Sequence, residues 1–259
     1  VNFTDEQLMA LVVSYFWPFA RIAAFVAVVP IFGARVVPAR IRLLVAISLT
    51  MIIVPVLPPP PSGVDPFGLD GLLTTAAQVM IGLAMGFAVK LIFSAIETGG
   101  HIMAQTMGLG FAQMNDPANG VTVPVVSQFY IIIATLLFLA LNGHLVVIDV
   151  LAESFQMLPI SMQGVSNDGL WVLILWSSWI FTGAVIISLP VVVALLLVNI
   201  AFGIMMRAAP QLNVFAVGFP LTLTFGFIFM LVSLPIFLPQ FSSLIEHALM
   251  AVGNLVSAR

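Results

Sequence analysis

The sequence predicts an all-α, membrane-associated fold of long kinked helices and helical hairpins, arranged in about six apolar blocks. Three observations carry this. Hydrophobic residues make up 62% of the 259 positions and charged residues only 7%, against about 25% charged in ordinary soluble domains. Pro, Gly and short polar clusters cut the chain into apolar stretches too long for strands. Two of those stretches exceed what a lipid bilayer needs. A chain with seven Lys/Arg and ten Asp/Glu cannot cover a globule of this size with charge. It is therefore an integral membrane protein or a subunit buried in a larger apolar assembly. The net charge of −3 without a basic patch argues against nucleic acid as a partner. The lack of cysteine removes disulfides and Cys-ligated metal or Fe–S sites.

Val1 to Glu6 is acidic where a secretory signal would carry Lys or Arg, and reads as a helix start. Thr4 and Gln7 have capping-box spacing, with Phe3 and Leu8 at the positions of a hydrophobic staple. The first apolar block then runs from about Glu6 to Val29. A turn at Ile31–Val37 leads to Pro38, suited to a first helical position, and the second block runs to about Val54. Pro58–Pro61 and Asp65-Pro66 predict an extended loop. The third block spans about Leu69 to Met107. Gly108 to Pro124, rich in Gly, Asn, Asp and Pro, is not a regular helix. The fourth block, Val125 to about Leu158, ends in a polar loop with Pro159, Gly164 and Asn167-Asp168-Gly169. The fifth runs from Leu170 to Met206, with Pro190 and Gly203 as expected kink points, and the sixth from about Asn213 onward, interrupted by Pro220, Pro235 and Pro239.

Arg35, Arg40 and Arg42 cluster at the first turn and Arg207 sits at the fifth, whereas the loops with Asp65, Asp70, Asp149, Glu153 and Asp168 carry no base. Six crossings with both termini outside the cytoplasm fit this distribution, apart from Arg259. Leu170–Met206 holds 37 residues and no charge, which as a helix spans roughly 55 Å, against a hydrocarbon slab of about 30 Å. Neighbouring protein subunits would cover the surplus.

No nucleotide, zinc-protease, hydrolase or Ca²⁺ motif is present, and His101, His144 and His247 lack the spacing of a local metal site. A non-enzymatic role without cofactor or metal is the expectation. The third block carries a polar stripe instead. Lys90, Ser94, Glu97, His101 and Gln105 recur at helical spacing on one face, with Glu97 and His101 as an i,i+4 pair. Charged groups in apolar helices normally face protein or a water-filled cavity. One reading makes the stripe a pore lining or proton-responsive element; the other packs it against partner helices through satisfied polar contacts.

Gly108, Leu109, Gly110, Phe111, Ala112, Gln113, Met114, Asn115, Asp116 and Pro117 form a second feature. Glycines release the backbone from helical geometry, Phe111 and Met114 supply bulky apolar tips, and Pro117 stops the helix resuming. A movable constriction and an ordinary anchored turn fit equally. Of the thirteen Met, most read as packing; Met103, Met107 and Met114 stand near this loop. The third feature is Arg207-Ala-Ala-Pro210-Gln211-Leu-Asn213, read either as a hairpin turn or as a partner-docking tip.

Arg207 to Leu223 resembles the signature of the FliR family of flagellar biosynthesis proteins. Further matches are Phe16-Trp-Pro-Phe-Ala-Arg21, Pro38 with Arg40 and Arg42, Gln105 to Ala112 with Asp116-Pro117, and Leu141-Asn-Gly-His144. They stand in order along nearly the whole chain. The residues flanking Pro210-Gln211-Leu212-Asn213 resemble flagellar members more than virulence-type secretion homologues.

The resemblance implies a core subunit of the type III secretion export gate in the bacterial inner membrane, at the flagellar basal body. Such a subunit assembles with FliP and FliQ, is contacted by FlhB, and conducts unfolded flagellar proteins. It further implies a FliP-like part, about 1–165, joined to a FliQ-like helical hairpin, about 170–259, in an assembly raised largely out of the bilayer plane. By the same resemblance the pore plug falls on Gly108–Pro117, with Phe111 facing the pore. The cytoplasmic entrance and FlhB contact fall on Arg207–Asn213. Energy would come from an ATPase of the complex or from the membrane potential, about 2.3 kcal/mol per charge per 100 mV. Two alternatives stand beside this: a stand-alone proton-coupled transporter using Lys90, Glu97, His101 and Asp116, and a purely architectural membrane subunit.

Overall fold

A computed structural model describes residues 5–34, 36–58, 66, 68–110, 124–208 and 214–258. The capping residues Phe3 and Thr4, Arg35 and most of the Pro-rich loop lie outside the described residues. Apolar length and local stops build the helices. They are α1 (Asp5–Val28), α2 (Ala39–Ile53, extended by a 3₁₀ turn over Val54–Val56), α3 (Leu69–Thr106), α4 (Val125–Ala140), α5 (Gly143–Met157), α6 (Asn167–Ser177), α7 (Trp179–Ala208) and α8 (Val214–Ser257). Among the described residues there is no strand. Among the described residues, four helical stretches are long and apolar enough to cross a membrane: Ala39–Val56, Leu69–Thr106, Asn167–Ala208 and Val217–Ser257. The α4–α5 pair, bent by 68°, adds one more if taken as a single span.

The first three blocks end close to their expected boundaries. The others differ in where they break. The fourth divides at Leu141-Asn142, where Asn142 adopts φ +56°. Asn tolerates the left-handed region better than most residues, and the short polar side chain suits a corner. The fifth breaks at Ser178, not at Pro190 or Gly203, both of which lie inside α7. The sixth is a single helix of 44 residues through Pro220, Pro235 and Pro239. Each proline removes one backbone hydrogen bond, a loss that neighbouring helices and local adjustment absorb in apolar surroundings.

The chain divides into two compact units. One comprises Val1–Leu91, Leu141–Ser177 and Glu246–Arg259; the other comprises Ile92–Ala140 and Ser178–Ile245. In the first unit α1 and α3 run in the same direction and approach through glycines. A Cβ at Gly82 would strike the Arg21 carbonyl, and one at Gly86 would lie 3.0 Å from the Phe25 carbonyl oxygen. Small residues let backbones meet in this way where lipid gives no hydrophobic incentive to pack. Trp17 Nε1 donates to Thr75 Oγ1 at 3.2 Å, and Trp176 Nε1 donates to the Ala88 carbonyl at 3.0 Å, anchoring α6. Ser166 Oγ donates to the Ala258 carbonyl at 2.9 Å, joining the start of α6 to the end of α8. The turn after α1 passes through Ile31 at φ +80°, unusual for a β-branched residue. Arg42 steadies this turn by donating to the Ala34 and Val37 carbonyls at 2.9–3.1 Å.

In the second unit α7 and α8 run antiparallel. Gln240 Nε2 donates to the Ile186 carbonyl at 3.2 Å, and a Cβ at Gly183 would sit 3.2 Å from Leu244 Cδ2. The C-terminal part of α3 packs against both α4 and α7. At Gly100 a Cβ would come 2.5 Å from Ser127 Cα, and at Gly99 it would lie 3.0 Å from the Ala184 carbonyl oxygen. Rings fill the centre: Phe93 meets Phe138 at 5.8 Å and Phe241 at 6.4 Å, and Tyr130 meets Phe237 at 5.2 Å, all edge-on.

Candidate functional site

Beyond its first turn, where Leu69, Asp70 and Leu72 are exposed, most of α3 is covered, and the residues that are not fall on one line. Leu73, Ala76, Met80, Leu83, Phe87, Lys90, Glu97 and Gln105 are exposed, with Ser94 and His101 half-buried between them. Their spacing of three and four residues is that of a single helical face. Its first half is apolar and its second half is the polar stripe. The structure therefore turns the whole stripe away from the chain's own core. Gln105 Nε2 lies 3.2 Å from His101 Nε2. Among the described residues neither Lys90 nor Glu97 has a hydrogen-bond or ion-pair partner.

At its far end α3 stops through a defined device. Gly108 takes φ +85°. Its N–H donates to the Gln105 carbonyl at 3.0 Å, and the Leu109 N–H donates to the Ala104 carbonyl at 3.0 Å. This pair of bonds with a left-handed glycine is a Schellman stop, which satisfies carbonyls a helix end would leave free. Gly110 packs against the Gln105 amide side chain. Of the ten residues expected in the plug, Gly108, Leu109 and Gly110 are described and half-buried. Phe111, Ala112, Gln113, Met114, Asn115, Asp116 and Pro117 lie outside the described residues. Met103 and Met107 are fully buried at this end of α3.

The distal end of the α7–α8 hairpin is open. From Leu196 to Ala208 nearly every α7 residue is exposed, including Leu196, Leu197, Ile200, Ile204 and Met205, and a Cβ at Gly203 would meet nothing within 4 Å. An α-helix apolar on all sides calls for surroundings other than water. Arg207 is exposed at its end; Pro210, Gln211 and Asn213 lie outside the described residues.

Sequence reasoning named Arg21 only within a family match and gave it no structural role, although it is the most highly coordinated side chain among the described residues of the first unit. It is fully buried. Nε and Nη2 both donate to Gln78 Oε1, at 2.9 and 2.5 Å. Nη1 donates to the Ser154 carbonyl and hydroxyl at 3.0 and 3.1 Å, and Nη2 to the Leu158 carbonyl at 2.8 Å. The guanidinium also lies 4.1 Å from the centre of the Phe155 ring. Every one of its five N–H donors is used. It joins α1 to α3 and holds the last carbonyls of α5, where a cation also opposes the helix dipole. The available signal was a lone Arg inside one apolar block and Gln78 near the start of another.

Among the described residues no group of three or more His, Asp or Glu is placed to hold a metal. The polar groups Lys90, Ser94, Glu97, His101 and Gln105 are strung along one helix face.

The family described as bacterial export proteins, family 1, matches residues 12–248 of the chain. The flagellar biosynthetic protein FliR of Escherichia coli (strain K12) is 37% identical over 254 residues, covering 98% of this chain and 95% of the relative. That of Pectobacterium carotovorum is 34% identical over 257 residues, covering 99% and 96%. That of Bacillus subtilis (strain 168) is 30% identical over 258 residues, covering 97% and 98%.

Proposed function

The chain belongs to the bacterial export proteins, family 1, and on that premise we propose that it is a core wall subunit of the flagellar protein export gate. In this reading it joins FliP and FliQ to enclose a path for unfolded flagellar proteins in the bacterial inner membrane, at the basal body. FlhB meets the Arg207–Asn213 end. The outward polar stripe from Lys90 to Gln105 is the observation that carries the proposal. An exposed Lys and Glu in an apolar helix are costly against lipid and cheap against a wet path. The apolar surface of the distal α7 supports the same reading, since sibling subunits would bury it.

The Gly108–Pro117 segment plugs the path at rest. The Schellman stop fixes where the chain leaves α3, and the apolar residues beyond it exclude water and ions until an exported chain displaces them. The driving energy enters through an ATPase of the complex or the membrane potential.

Removing Gly108–Pro117 from the full-length chain tests this in membrane vesicles containing the assembled apparatus. Leak, followed with a potential-sensitive dye, should rise while FliP and FliQ still co-purify as one particle. Unaltered conductance with normal assembly would leave an architectural subunit without a plug.

A further inference from the structure

Independently of the plug, we infer that α2 is a face this chain turns to the lipid bilayer, with Arg40 seated on an anionic phospholipid headgroup. Ala39–Val56 has 18 residues, roughly 27 Å at about 1.5 Å per residue, close to a hydrocarbon slab of about 30 Å. The other three candidate spans have 38, 42 and 41 residues and overshoot it. Ala39–Val56 is also the least covered by its own chain, 17% buried against 67, 22 and 28%. Ile41, Leu44, Ser48, Met51, Ile52 and Val56 are exposed at three- and four-residue spacing, opposite the buried Ala46, Thr50 and Ile53. Apart from Ser48 these side chains are large and apolar. Helices that pack on one another in lipid do so through small residues, as α3 does on α1 through Gly82 and Gly86 and on α7 through Gly99. From Ile41 to Val56 the outward face of α2 exposes no Gly or Ala. Acyl chains cover such a face without the close approach that a second helix needs.

The charge of this span lies at one end. No Lys, Arg, Asp or Glu follows Arg42 before Asp65. Arg42 is occupied by the Ala34 and Val37 carbonyls at 2.9–3.1 Å, and α2 has no acidic residue in its first turn. Arg40 is exposed, and among the described residues it has no hydrogen-bond or ion-pair partner. Its own helix gives it nothing, since the macrodipole favours cations at the opposite end. A guanidinium at the edge of an apolar span extends to headgroup depth, and its planar fork pairs with a phosphate through two N–H donors. An anionic headgroup supplies the missing negative charge; a zwitterionic one brings a competing cation with it.

The test uses the full-length chain co-expressed with FliP and FliQ and reconstituted in phosphatidylcholine vesicles. These carry a small share of brominated phosphatidylglycerol or, in parallel, of brominated phosphatidylcholine, and bromine quenches indole fluorescence at contact. Leu44→Trp and Ile52→Trp should each be quenched beyond the parent, and Leu44→Trp more by the phosphatidylglycerol. Adding Arg40→Gln to Leu44→Trp should lower the apparent affinity for brominated phosphatidylglycerol on the order of fivefold, the weight of one basic residue at an anionic surface. Added salt should weaken it where Arg40 is present. Both Trp variants quenched no more than the parent, in a particle that retains FliP and FliQ, would put a sibling subunit on α2, overturning the inference and sparing the gate. Quenching equal for the two headgroups, or unchanged by Arg40→Gln, would overturn it as well. A chain that purifies without FliP and FliQ, yet shows the quenching and its loss with Arg40→Gln, would remove the gate reading and support α2 as the lipid face.

Discussion

Arg21 and Glu97 are both charged side chains set in long apolar helices, and the protein treats them in opposite ways. Arg21 is enclosed, with every N–H donor directed at an oxygen of its own unit. Glu97 is exposed on the one uncovered face of α3. A buried polar group that is fully bonded holds a structure together, whereas one left outside by a chain able to bury most of the same helix awaits something else. The first belongs to the scaffold and the second, in the proposed gate, to the surface that faces the path. The comparison also explains why a charge in an apolar block is an ambiguous signal until its partners are known.

Breaking the scaffold side should have the largest effect. Arg21→Ala leaves Gln78, the Ser154 hydroxyl and the ends of α5 without their donor, and opens a cavity beneath Phe155. Charge-assisted bonds and a stranded buried acceptor together make a loss of about 3–5 kcal/mol the expectation. That is a large share of the stability of an ordinary domain. Arg21→Lys should recover only part, since an ammonium cannot reproduce the planar fork that reaches Gln78, Ser154 and Leu158 at once. Thermal melting of the purified chain in detergent should rank parent above Lys above Ala. An Ala variant melting with the parent would mean the guanidinium is held by the fold without holding it.

The stripe should answer differently. Glu97→Gln and His101→Asn touch exposed or half-buried groups, so melting should move by no more than about 0.5 kcal/mol. Ion passage should change instead. Charged side chains along a narrow path attract counter-ions, and removing the Glu97 charge in the loop-deleted channel should lower the cation-to-anion ratio by roughly threefold. If both variants leave passage and its pH dependence at parental values, the stripe is a contact for another subunit and not a wall.

The same distinction marks what was legible in the sequence. Apolar length and Pro/Gly punctuation located the first three blocks, and helical periodicity placed Lys90 to Gln105 on one face. Gly108 was identified as the point where α3 must stop, though the bonds to Gln105 and Ala104 that make the stop are contacts a periodicity cannot state. Arg21 was missed because its partners lie 57 and more residues away in sequence. Pro190, Pro220, Pro235 and Pro239 do not end their helices, while the fifth block breaks at Ser178. In apolar surroundings an unbonded backbone group elsewhere costs more than a single missing bond at proline, so helix continuity wins. Which side of α3 stays uncovered depended on how five neighbours, α1, α4, α6, α7 and α8, pack, and that is not a local property.

The smallest effect separates a glycine that packs from one that does not. Gly82 cannot carry a Cβ without meeting the Arg21 carbonyl, whereas Gly203 has open space around it. In the isolated chain Gly203→Ala should therefore raise stability by about 0.5–1 kcal/mol, the ordinary gain of alanine over glycine in a helix interior. The proposed gate adds a second expectation, because sibling helices would occupy the space that is empty around this stretch of α7. Gly203→Leu should then melt like the parent alone yet co-purify less FliP and FliQ, since its side chain enters ground that a partner needs. A Leu variant that captures both partners in full would place this end of the hairpin against lipid. The surplus of apolar length in α7 would then have to be explained without subunits around it.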